Sequence, residues 1–146
     1  MGSTYTSLNY HVVFSTKDRL PLIGDWLADL YSYIGGTIRG LGGTLRAAGG
    51  IEDHIHLLVS LKATHCLADV VRDFKKQSTI WAKDNHSKTF GWQDGYAAFT
   101  VGPRGIDNVK TYIANQREHH KGTSFVEELK RMLDDAGVPY DEKYLY

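Results

Sequence analysis

Apolar and polar residues alternate with period two over residues 5–16, with Leu8, Tyr10, Val12 and Phe14 on one side and Asn9, His11 and Val13 on the other. That alternation predicts a β-strand with one buried face. The period then lengthens over residues 25–41, where Leu27, Leu30, Ile34, Ile38 and Leu41 line one side of a helix. Gly35 and Gly36 weaken its continuity. Two strands follow, over 44–51 and 54–61, the second reading His54-Ile55-His56-Leu57-Leu58-Val59-Ser60-Leu61. A second helix over 66–84 sets Leu67, Val70, Val71, Phe74 and Trp81 against an opposite face of Arg72, Lys76 and Lys83. A short strand is expected over 96–101 and a third helix over 107–120, with Ile106, Val109 and Ile113 on its apolar side. Ser124 and Glu127 form a capping box for a fourth helix that stops near Gly137, ahead of Pro139. The order βαββαβ followed by two helices predicts an α+β, ferredoxin-like fold. Its four-stranded antiparallel sheet carries helices on one face, with C-terminal helices added. That fold serves many functions, so the chemistry must be read from particular residues.

Composition narrows the class of protein without naming an activity. A length of 146 residues suits one domain over 1–146, and 42% hydrophobic with 23% charged residues is the balance of a soluble globular chain. One cysteine, Cys66, excludes an internal disulfide framework and fits a cytoplasmic setting. It precedes Leu67 and Val70 and is expected to be a small buried side chain. No apolar run approaches the roughly 20 residues needed to span a bilayer, so no membrane partner is expected. Net charge is zero, but residues 127–146 hold six Asp/Glu against three Lys/Arg, which leaves a mildly basic body before an acidic tail. Such a distribution permits nucleic-acid binding without requiring it.

Two constellations can carry chemistry. His54 and His56, two apart on a strand, point to the same face with Cα atoms about 6.6–7 Å apart. Both imidazoles can then reach one ion while Ile55 turns into the core. Alone, the pair also describes two polar residues on a solvated sheet face. The second constellation is the run Tyr112-Ile113-Ala114-Asn115-Gln116-Arg117-Glu118-His119-His120. Tyr112 and Gln116 lie one helical turn apart, and Ile113 faces the core. A phenol beside a metal can attack a phosphodiester and hold the DNA end as a covalent ester. Gln116 can add an oxygen ligand. An amphipathic helix with a half-buried tyrosine accounts for the same residues.

Taken together, these segments resemble a known family. Glu52-Asp53-His54-Ile55-His56-Leu57-Leu58-Val59-Ser60-Leu61 is similar to the metal-binding strand of the HUH nucleases. Phe90-Gly91-Trp92-Gln93-Asp94-Gly95-Tyr96-Ala97-Ala98-Phe99 resembles the FWQ-x-GY-x-AF signature of single-tyrosine transposases of the insertion sequence 200/605 type. Tyr112-Ile113-Ala114-Asn115-Gln116 resembles their catalytic helix, and Asp141-Glu142-Lys143-Tyr144-Leu145-Tyr146 their ending. The resemblance implies that Tyr112 is the nucleophile, forming a 5′-phosphotyrosine and freeing a 3′-hydroxyl. It implies that His54, His56 and Gln116 hold Mg²⁺ or Mn²⁺, and that the substrate is single-stranded DNA bearing a hairpin. It further implies a homodimer in which Tyr112 of one chain serves the histidine pair of the other. Glu52 stands where the family often has proline, and the middle motif is slightly expanded around Gly91.

Other residues are secondary candidates. Arg72, Lys75 and Lys76 can grip hairpin phosphates, as can Lys17, Arg19 and Arg104. His11 can approach the site from the polar face of the first strand, and His119 or His120 can replace Gln116 as a ligand. A replication initiator or relaxase shares the chemistry, although relaxases are longer and bring a third histidine to the metal. A domesticated relative acting on palindromic repeats would look nearly the same. A noncatalytic RNA-binding sheet should show stacking aromatics where this strand shows His54 and His56. A metallohydrolase would use bound water and need no tyrosine.

Overall fold

The computed structural model describes residues 2–145, so Tyr146 of the family-like ending lies outside the described residues. Strand β1 spans Leu8–Ser15, helix α1 Leu27–Gly40, strands β2 and β3 Thr44–Ile51 and His54–Leu61, helix α2 Leu67–Asn85 and strand β4 Ala97–Thr100. All strand pairs are antiparallel and the order is β2-β3-β1-β4, the sheet expected from the sequence. Helix α1 runs unbroken through Gly35 and Gly36. Among the described residues, no helix is long and apolar enough to cross a membrane.

The alternation in β1 predicts one buried face, but both are buried. Val12 and Phe14 join Ile55, Leu57 and Val59 of β3 under α1 and α2, whose Leu30, Ile34, Ile38, Val70, Val71 and Phe74 complete the main core. On the opposite face Asn9, His11, Val13 and Ser15 are also buried. Three later helices cover them: α3 Ile106–Ala114, α4 Gln116–His119 and α5 Phe125–Asp135. The third helix expected over 107–120 is therefore split. Asn115 leaves helical geometry at φ −98° and ψ 20°, and its N–H is shared between the Thr111 and Tyr112 carbonyls. Helix α5 is capped as predicted, with the Glu127 N–H donating to Ser124 Oγ at 3.2 Å. Gly137 ends it at φ 68°, where the Val138 N–H closes on the Leu133 carbonyl at 2.9 Å.

Cys66 is exposed rather than buried. It holds the N-cap position of α2, one residue before the apolar stripe begins. The tract around Trp92 is a clasp between layers. Trp92 Nε1 donates to Ser78 Oγ at 2.9 Å and the Gln93 N–H to the Ser15 carbonyl at 2.9 Å.

A close approach seats α3. Gly49 of β2 is the register partner of His56, and a Cβ there would lie 2.1 Å from the Ile113 carbonyl oxygen. Glycine is required because the helix backbone rests directly on the strand. Gly49→Ala should lower stability by about 1–3 kcal/mol, because the helix must lift to admit a methyl group. Denaturant unfolding measures this. An unchanged midpoint would mean that α3 is not seated on the strand.

Candidate active site

Strand β3 presents His54 and His56 on the face away from the main core, and both are fully buried. Ile55 between them points into that core, as the period-two pattern requires. Asp53 Oδ1 accepts from His54 Nδ1 at 2.7 Å. His56 Nδ1 lies 2.8 Å from His11 Nε2, one ring donating to the other. His11 is thus a buried neighbour of the pair rather than a surface residue. Burial, then the adjacent His56, push its pKa down to about 3, so it is neutral at ordinary pH.

The free edges of these rings meet Glu128 of α5, a residue the sequence reading missed. Its side chain is 1% exposed, and Oε1 lies 3.3 Å from His54 Nε2, 2.9 Å from His56 Nε2 and 3.1 Å from His120 Nε2. Burial favours the neutral acid, but hydrogen bonds from His54 and His56 outweigh it and hold the carboxyl far below its usual range. Burial likewise opposes protonation of His54, and its bonds to Asp53 and Glu128 overcome that and raise its pKa. At His56 burial prevails and the pKa falls. A signal for Glu128 did exist in the sequence. It occupies the apolar stripe of α5 beside Phe125, Leu129 and Leu133, where an unpaired charge would be costly.

Tyr112 closes the cluster. Its hydroxyl donates to Glu128 Oε2, and its ring centroid lies 5.7 Å from that of His56 and 6.0 Å from that of His11. Burial first, then the bond to Glu128, raise the phenol pKa above its ordinary value. Gln116 is buried one turn away, with Oε1 3.2 Å from His54 Nε2 and 3.1 Å from His120 Nε2. Tyr112, His54, His56 and Gln116 therefore converge, and they do so within one chain. The resemblance implies a tyrosine that serves a partner's histidines. Here the seating of α3 on Gly49 and the break at Asn115 direct Tyr112 onto its own β3. Arg117 Nη1 bonds Glu52 Oε1 at 2.8 Å, so the residue that departs from family proline anchors α4 to the β2–β3 turn.

The basic residues of α2 are not part of this convergence, since α2 covers the other face of the sheet. Arg72 is exposed and pairs with Asp69 and Asp73 at 3.3 and 3.4 Å. Lys75 donates to the Gln93 and Gly95 carbonyls at 2.8 and 2.7 Å, and Lys76 is exposed.

Residues 4–116 match the family described as Transposase IS200 like. The chain belongs to that family. Its fold is shared with a Deinococcus radiodurans protein assigned as a transposase, 27% identical over 80% of this chain and 96% of that one, at a TM-score of 0.59. A REP-associated tyrosine transposase bound to a REP hairpin is 15% identical over 77% of this chain and 68% of that one, with a TM-score of 0.58. No match was found among curated proteins. The matched span takes in His54, His56 and Tyr112 and stops at Gln116, before His120 and Glu128.

The residues present suit a divalent ion. Ligand atoms of His54, His56, His120 and Glu128 all lie within 4.8 Å of one another. Asp53 fixes the His54 ring with Nε2 toward the cluster, the usual outer support of a metal-bound histidine. Asp53→Asn should weaken divalent-ion binding by about 10–100-fold while the protein stays folded. Calorimetric titration reads this, and an unchanged affinity would remove Asp53 from the site.

Proposed function

We propose that this transposase cuts and rejoins single-stranded DNA at hairpin-bearing ends through a 5′-phosphotyrosine on Tyr112, with Mg²⁺ or Mn²⁺ at the His54–His56 pair. The observation that supports the reading is the meeting of the Tyr112 hydroxyl and both histidine Nε2 atoms on one carboxylate, Glu128. An ion at the pair would polarise the scissile phosphate and offset the charge that builds on its oxygens. Tyr112 Oη, oriented by the hydrogen bond it donates to Glu128, attacks phosphorus as its phenolic proton is given up to solvent. A tyrosyl P–O bond forms, the bond to the 3′ oxygen breaks, and that oxygen leaves as a hydroxyl after taking up a proton. Attack by a 3′-hydroxyl on the phosphotyrosine reverses the exchange, joins the new strand and restores the phenol. One phosphodiester is traded for another, so the cycle needs no external energy source.

A hairpin substrate is favoured by the fold shared with a REP-associated tyrosine transposase, which was captured on a REP hairpin. Incubated with labelled hairpin DNA and Mn²⁺, the protein should give a covalent adduct on a denaturing gel. The same sequence as a perfect duplex should give little or none. Tyr112→Phe should retain hairpin binding and lose the adduct. Adduct at the normal level in that variant would shift the nucleophile to another residue.

A site assembled within one chain makes a further prediction. Tyr112→Phe protein mixed with His54→Ala/His56→Ala protein should stay inactive, because each chain keeps its own lesion. Recovery of cleavage after subunit exchange would instead establish a tyrosine that serves the partner chain.

A further inference from the structure

His120 and Glu128 lie beyond the span that matches the family, yet both aim polar atoms into the histidine cluster. We propose that they are ligands of the ion, giving a centre of three imidazoles and one carboxylate that selects a first-row transition ion such as Mn²⁺, Co²⁺ or Zn²⁺ over Mg²⁺. Gln116 then supports the ligands and does not bind the ion. The proposal rests on the reading that the histidine pair holds a metal.

The strongest observation concerns the far side of each ring. His54 Nδ1 bonds Asp53 Oδ1 at 2.7 Å, His56 Nδ1 bonds His11 Nε2 at 2.8 Å, and His120 Nδ1 bonds the Thr123 carbonyl oxygen at 2.5 Å. All three rings are thus oriented through Nδ1, and all three turn Nε2 inward. A metal-bound histidine is normally held in this way, by a group that fixes the ring and leaves the other nitrogen for the ion. His120 shows the arrangement as fully as the two strand histidines do.

Glu128 supplies the fourth donor. Its Oε1 lies 2.9–3.3 Å from the three inward nitrogens. Donors around one ion with bonds of about 2.0–2.2 Å are separated by about 3–3.5 Å. A buried carboxylate also needs a compensating cation, and among the described residues the ion-pair partners of Glu128 are all imidazoles: His54, His56, His119 and His120. An ion held by these side chains would supply such a cation. Gln116 approaches His54 and His120, and its Nε2 is engaged with the Tyr112 carbonyl at 3.3 Å. Its amide oxygen sits as close to those two inward nitrogens as the carboxylate does but carries no charge and is the weaker donor, which suits a strut between two ligands. Imidazole nitrogen favours borderline transition ions, whereas Mg²⁺ prefers oxygen donors and retained water. Glu128 Oε2 remains bonded to the Tyr112 hydroxyl, so one side chain would tie the nucleophile to the ion.

The test is titration of the full chain with Co²⁺, read by its visible absorption, and with Mn²⁺ and Mg²⁺, read by calorimetry. Wild type should bind Co²⁺ and Mn²⁺ at least about 10-fold more tightly than Mg²⁺. Glu128→Gln and His120→Ala should each lose about 10-fold or more in Co²⁺ affinity and alter the spectrum, whereas Gln116→Ala should change affinity by less than about 3-fold. Metal-free circular dichroism and melting establish that each variant is folded. His120→Asn serves as a second ligand deletion should Glu128→Gln fail to fold. Loss of affinity in Gln116→Ala with Glu128→Gln and His120→Ala unaffected would overturn the ligand assignment and leave the histidine-pair reading intact. Mg²⁺ binding as tight as Co²⁺ binding would overturn the selectivity. Failure of wild type to bind any of the three ions would sink the metal reading itself, and this proposal with it.

Discussion

The buried carboxylate of Glu128 is the interaction on which the arrangement of the site depends. An ionised group that is 1% exposed must recover several kcal/mol of lost hydration through close partners, and removing a partner from such a group typically costs about 3–5 kcal/mol. Here the partners come from separate parts of the chain: His54 and His56 from β3, His120 from the turn after α4 and Tyr112 from α3. The requirement to satisfy one carboxylate therefore draws four elements together. It also fixes the phenol oxygen relative to the imidazoles more tightly than apolar packing would, because hydrogen bonds are directional.

The sheet makes this possible by being covered twice. On one face α1 and α2 build an ordinary apolar core with Val12, Phe14, Ile55 and Leu57. On the other, the C-terminal helices enclose a layer in which polar residues alternate with Val13, Leu58 and Ile113. Burying these polar side chains under α3, α4 and α5 keeps bulk water from them, which strengthens every electrostatic contact within. Gly49 sets how closely α3 may descend, and with it the distance between the tyrosine and the histidine pair. Within the chain Tyr112 meets the histidine pair because the helix that carries it lies back over its own sheet.

Much of the fold was legible because short-range periodicity reports which side of an element is apolar. The strands over 44–51 and 54–61 agree with β2 and β3, and the capping box at Ser124 and the stop at Gly137 depend on bonds within a few residues. The split of the third helix at Asn115 was not legible, since residues on both sides favour a helix and the break serves the tertiary arrangement of Gln116 and His120. Cys66 was misplaced because apolar neighbours in sequence say nothing of a cap position.

For the site, the sequence by itself determined that His54 and His56 share a face and that Tyr112 and Gln116 lie a turn apart. Those relations follow from the geometry of a strand and a helix. Only the tertiary structure decided that His11 backs His56, that His120 turns inward and that Glu128 lies between the histidines and the tyrosine. The physical reason is sequence distance: Glu128 is 72 residues from His56 and 16 from Tyr112. No local pattern encodes contacts of that span, so a glutamate that looked like one charge on an amphipathic helix became the centre of the site only once the helices had closed over the sheet.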